Sequence, residues 1–140
     1  MPLQMNADEL MDYLEEVFPQ VKNDFAVDRL ADMEVDMRLK VADRHLRPGG
    51  TVSGPSMFSL ADCAVYAITL AMVGRKALAV TTNASIDFMR KPQAGVDLIA
   101  RCRLLKLGRV LAVGEALLFS DGMDAPVARA SLTYSIPPKG

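Results

Sequence analysis

Between residues 6 and 18, Leu10, Met11, Leu14, Val17 and Phe18 fall on one side of a helical wheel while Asp8, Asp12, Glu15 and Glu16 take the other. That spacing predicts an amphipathic helix covering something apolar, with the acidic face in solvent. Asn6 followed by Glu9 makes a capping-box start, Met5 and Leu10 are placed as a hydrophobic staple, and Pro19 stops the pattern. From Met33 the period drops to two. Val35, Met37, Leu39 and Val41 alternate with Glu34, Asp36, Arg38 and Lys40, as a strand with one wet face requires, and a shorter strand is predicted before it near Phe25 to Leu30.

The pattern changes again at Pro48, where a glycine-rich loop runs into a nearly all-apolar helix reaching Ile68 and beyond. Beyond it, Leu78 to Arg90, Val96 to Leu107, Val110 to Ser120 and Val127 to Ile136 are rich in β-branched and apolar residues. The breaks Lys91-Pro92-Gln93-Ala94-Gly95, Leu107-Gly108-Arg109 and Asp121-Gly122-Met123-Asp124 carry turn chemistry. The last four strands are therefore expected to join as antiparallel hairpins or near neighbours. Helix, two strands, long buried helix and four strands predict an α+β fold in which a curved antiparallel sheet wraps the central helix.

Composition narrows the function classes. The 140 residues suit one domain spanning 1–140, with a core that needs no disulfide or metal. A net charge of -1 with no block of like charge argues against nucleic acid or an anionic membrane as partner. Cys63 and Cys102 sit in apolar runs without metal-ligand spacing, so reduced thiols in a cytoplasmic protein are expected, with no metal and no redox cofactor. The apolar stretch from Met57 to Val73 is broken by Ser59, Asp62 and Thr69 and is expected to fall short of a membrane span.

Asp62 is the anomaly. An ionised carboxylate on a helix apolar on every side must be paired, protonated or lining a wet cleft, because desolvating it without a partner costs several kcal/mol. Such acids collect at working sites. Upstream, Gly54 lies where helical N–H groups lack intrahelical partners, and its missing side chain lets a carbonyl approach the backbone.

Ser53-Gly54-Pro55 opening the helix, Leu60-Ala61-Asp62 about two turns later, Thr81-Thr82 early in the next strand and Phe88-Met89-Arg90-Lys91-Pro92 at its end stand in a characteristic order. In that order and wording the chain resembles hotdog-fold acyl-CoA thioesterases of the phenylacetic-acid-degradation (PaaI-like) type, and the likeness covers most of its length. The resemblance implies Asp62 as nucleophile or general base, the Gly54 N–H as oxyanion donor and Thr81 as the residue steadying substrate or water. It implies coenzyme A only as part of the substrate. Ser53 stands where the family usually has His and Pro55 where it has a second Gly, which bears on the polarity and range of the pocket. Pro55 also suits the first helical position, where its missing N–H costs nothing.

Eight residues separate Gly54 from Asp62, roughly 12 Å along one helix, so one carbonyl does not readily reach both. Two antiparallel helices meeting across a two-fold axis would bring Gly54 of one subunit to Asp62 of the other. The resemblance implies the same arrangement, so a homodimer with shared sites is expected, with a dimer of dimers as its extension. Ser53 at the entrance is a candidate substrate contact, Met57, Phe58 and Met89 are candidates for an acyl channel, and Arg90 and Lys91 for the coenzyme A phosphates. Strand alternation places Thr81 with Asn83, Ser85 and Asp87, opposite Val80, Ala84, Ile86 and Phe88. Two other readings fit the sequence: a non-catalytic dimer that binds acyl-CoA or another apolar ligand, and a hotdog dehydratase in which His45 acts with Asp62. The plainest reading of His45 is a solvent-exposed loop residue.

Overall fold

The computed structural model describes residues 2–138. The first helix, α1 (Ala7–Val17), begins with the expected capping box: Asn6 Oδ1 accepts from the Glu9 N–H at 2.8 Å and the Glu9 carboxylate accepts from the Asn6 N–H at 3.0 Å. Leu10, Tyr13 and Leu14 are buried beneath it. Strands β1 (Phe25–Ala31) and β2 (Glu34–Leu39) follow, then α2 (Gly54–Val73), β3 (Val80–Phe88), β4 (Leu98–Leu107), β5 (Leu111–Ser120) and β6 (Ala128–Ser135). All six strands form one curved antiparallel sheet around α2, the hotdog architecture.

Alternate residues of β2, β4, β5 and β6 point at the helix, and small ones dominate at its closest approach. Ala100, Ala112, Ala116, Ala128 and Ala130 are buried there, and a Cβ on Gly114 would stand 3.1 Å from a Val65 methyl. Side-chain size on the sheet thus sets how deep α2 can seat. The helix runs 20 residues with a window of mean hydropathy 1.6, so it does reach the length and composition of a membrane span, contrary to the expectation from its broken apolar run. Its start at Gly54 supplies the extra turn, and 72 % of that window is buried inside the protein.

The strand order is β1-β2-β4-β5-β6-β3. β4, β5 and β6 are antiparallel neighbours as expected, but β3 pairs only with β6, at the far edge from β1. The expected turn at residues 91–95 is instead part of a crossover. The connection of residues 89–97 extends to about 30 Å, ample for three strand spacings of about 4.8 Å each, so length does not force a hairpin.

Candidate active site

The approach to α2 is a clasp. Leu46 and Val52 bridge antiparallel, the Arg47 N–H donates to the Thr51 carbonyl at 2.9 Å, and the chain reverses through Gly49 and Gly50 at φ of 104° and 85°, a region open mainly to glycine. The Ser53 N–H then donates to the His45 carbonyl at 2.8 Å, and Ser53 Oγ caps the helix by accepting from the Ser56 N–H at 3.3 Å. Gly54 is the first helical residue and Pro55 the second, one place later than expected; both lie in the turn whose N–H positions have no intrahelical acceptor. The Phe88 ring lies over Gly54, with Cζ 3.3 Å from where a Cβ would project.

Gly54, Met57, Met89, Arg90 and Lys91 line one cleft of about 390 Å³, together with Phe88 and Arg47. The structure thereby gathers most of the expected substrate-binding residues in one place. Ser53 and Phe58 are half-buried; Ser53 serves the helix cap and Phe58 packs on the core, and neither lines this cleft. Arg47, which sequence reasoning missed, adds a third cation, and its place at the mouth of the glycine turn was the available signal. Arg90 is anchored by donating to the Pro126 carbonyl.

Asp62 is half-buried two turns along α2. Its Oδ1 accepts from the Thr81 hydroxyl at 2.8 Å and from the Tyr134 hydroxyl at 2.7 Å. Thr81 does not share a face with Asn83, Ser85 and Asp87 as strict alternation predicted. The register jumps between Thr81↔Tyr134 and Asn83↔Thr133, leaving Thr82 as an extra residue, and this bulge turns Thr81 to the helix side along with Ala84, Ile86 and Phe88. Tyr134 was also missed; only its place in the alternating pattern of β6 marked it as inward-facing. Burial first, then the charge of Asp62, raises the Tyr134 phenol above its ordinary value, so it stays a donor. Burial pushes the neighbouring Cys63 thiol up to about 12, with Asp62 adding to the shift, so this cysteine is inert at neutral pH.

His45 is buried rather than solvent-exposed. Its Nδ1 accepts from the Ala42 N–H at 2.9 Å, while its buried Nε2, 3.4 Å from Asp24, makes no hydrogen bond among the described residues; the ring sits behind the clasp and does not line the Gly54 cleft. This placement gives the dehydratase reading no pairing of His45 with Asp62. Among the described residues no group of three or more His, Cys, Asp or Glu is placed to hold a metal ion.

Residues 49–127 match the model of the family described as the thioesterase superfamily. A provisionally assigned thioesterase from a Silicibacter species is 67 % identical, covering 99 % of this chain and 96 % of its own, with a TM-score of 0.93. A variant of the phenylacetic acid degradation protein PaaI from Thermus thermophilus is 26 % identical over 85 % of this chain and 99 % of its own, at a TM-score of 0.72. Zebrafish thioesterase superfamily member 2, at 20 % identity, shares the fold over 96 % of this chain and 100 % of its own with a TM-score of 0.83. No curated protein matches the chain.

Proposed function

The chain belongs to the thioesterase superfamily, and from that premise we propose that it hydrolyses acyl-CoA thioesters as a homodimer, each site joining Asp62 of one protomer to the Gly54 N–H of the other. The observation that carries this reading is the placement of both groups beneath the two ends of the open β3 edge. Thr81, which holds Asp62, stands at one end of β3, and Phe88, which covers Gly54, stands at the other. If two β3 strands pair antiparallel about a two-fold axis near Ala84, each Thr81 end meets the partner's Phe88 end, and the roughly 12 Å between donor and acid on one helix ceases to matter.

The chemistry follows from the hydrogen bonds. Thr81 and Tyr134 both donate to Oδ1 and hold the carboxylate in place, so Oδ2 is the oxygen we assign to the reaction. Oδ2 either attacks the thioester carbonyl carbon, expelling the coenzyme A thiolate and leaving an anhydride for water to open, or takes a proton from the attacking water. In both routes negative charge builds on the carbonyl oxygen, where the Gly54 N–H and the positive end of the α2 dipole stabilise it. Arg47, Arg90 and Lys91 around the Gly54 cleft suit the coenzyme A phosphates. No metal or redox cofactor enters the scheme. A thiol-reactive dye reporting release from a panel of short, long and aromatic acyl-CoAs tests the reading: catalytic release is expected, and binding without release overturns it in favour of a non-catalytic acyl-CoA binder.

A further inference from the structure

A second groove, of about 320 Å³, opens beside Asp62 on the side away from Gly54. Three aromatic rings line it in series. Tyr134 donates to Asp62 Oδ1; Tyr66, one helical turn past Asp62, stacks on Tyr134 with ring centroids 5.7 Å apart; Phe18, at the end of α1, meets Tyr66 edge-on at 6.5 Å and 82°. The Tyr66 hydroxyl donates to the Ala77 carbonyl at 2.7 Å, which turns its polar end away and fixes the ring. Ala79 and Val80 complete an apolar wall. The groove therefore begins at the carboxylate's own hydrogen-bond donors and becomes apolar as it leaves them.

We propose that this groove takes the acyl chain of the thioester and that Phe18 closes its far end and limits chain length. The inference rests on the hydrolase reading for the position of the thioester carbonyl at Asp62. An open, mainly apolar groove that starts at Thr81 and Tyr134, the two donors to Asp62, fits the hydrocarbon attached to the carbonyl, while the cationic cleft at the partner's Gly54 takes the coenzyme A side. Phe18 is suited to act as a stop because it is 40 % exposed, meets Tyr66 edge-on and is followed by Pro19, which ends α1. It also lies outside the residues matched by the family model, so chain-length selection would be a property of this chain's own N-terminal helix.

The test is binding of non-hydrolysable S-alkyl-CoA thioethers of increasing chain length to the intact protein by calorimetry, beside hydrolysis of the matching acyl-CoAs. Affinity should rise about fourfold per methylene while the chain fills the groove and then level off. With Tyr66 one turn, about 5.4 Å, from Asp62 and Phe18 beyond it, that break should fall at about six to eight carbons. Phe18→Ala should move the break to longer chains and Phe18→Trp to shorter ones; because the side chain is substantially exposed, both variants should fold. An unmoved break in both, or affinity independent of chain length, overturns the assignment even if hydrolysis is intact. A break that moves in a protein that binds thioethers but releases no thiol upholds the groove and overturns the hydrolase reading instead.

Discussion

Along the β1 edge, Arg29 pairs with Glu34 at 2.9 Å and Asp36 at 3.1 Å, and Asp28 pairs with Arg38 at 2.9 Å, whereas along the β3 edge Val80, Phe88 and the adjoining Met89 are each about half exposed. Arg38 also reaches Asp97 at 3.1 Å and Asp121 at 2.9 Å, tying β2 to the loops before β4 and after β5. Such pairs add little stability individually, but a charged edge discourages a further strand. The β3 edge carries a single such pair among its nine residues, Asp87 with Arg129 at 3.0 Å, and every group assigned to chemistry lies on it, beside it or under it. The contrast separates an edge closed by charge from one whose exposed apolar residues suit the strand-to-strand dimer proposed above.

The largest effect expected is at the carboxylate beneath the open edge. Asp62→Asn should lower kcat by about a thousandfold or more in the thiol-release assay while the sedimentation profile stays that of the wild type, because the change removes the nucleophile or base and keeps the shape. Asp36→Asn, the same substitution at the charged edge, should leave kcat within about twofold.

Breaking the strand pairing should come next. Ala84→Asp would place two like charges opposite one another at the two-fold axis, so monomers and a loss of about a hundredfold in kcat/KM are expected on ultracentrifugation and assay, against no change for Ala26→Asp on β1. Sharing of the site can be tested without breaking the dimer. Gly54→Pro removes the N–H, and mixing that variant with Asp62→Asn after dissociation and reassembly should restore about a quarter of wild-type activity, since half the dimers are mixed and each then holds one intact site. No recovery in a mixture shown to contain mixed dimers would assign the site to one chain.

A smaller effect is expected at the cationic cleft. Arg47→Ala should raise KM for acyl-CoA about tenfold with kcat nearly constant, and should have little effect on a truncated thioester that lacks the nucleotide phosphates.

The smallest effect is on stability at high pH. Burial raises the Cys63 and Cys102 thiols from 9.0 to about 12, and burial with the Asp62 charge raises the Tyr134 phenol above 10.0. The folded chain holds these protons more tightly than the unfolded one, so their stabilisation is complete below about pH 9 and is lost as pH rises through the folded values. The Arg29 and Arg38 guanidiniums at the other edge are raised further by their carboxylates and stay charged throughout. Urea midpoints should fall from pH 9 to 11 in the wild type, and by less in Tyr134→Phe.

Much of this was legible in the residue order. Asn6 with Glu9 and the period-two run from Val35 to Leu39 declare their elements because caps and alternation are local, and a carboxylate in an apolar helix declares itself through the cost of burying charge. The face of Thr81 did not, because a single inserted residue at Thr82 reverses alternation without changing composition. Nor did the crossover of residues 89–97, whose turn-like residues also serve a longer connection, or Tyr134, whose partner is 72 positions away.

Residue order alone settles which segments coil and which extend, that α2 is a core helix, and that Asp62 and Gly54 are the groups to explain. Packing in three dimensions brings Tyr134 and Thr81 to Asp62, joins Arg47 to Arg90 and Lys91, and leaves β3 with no strand on its outer side. Local periodicity reflects the faces of one element, whereas these placements depend on how a 20-residue helix seats in the curved sheet and which strand remains to close its far side.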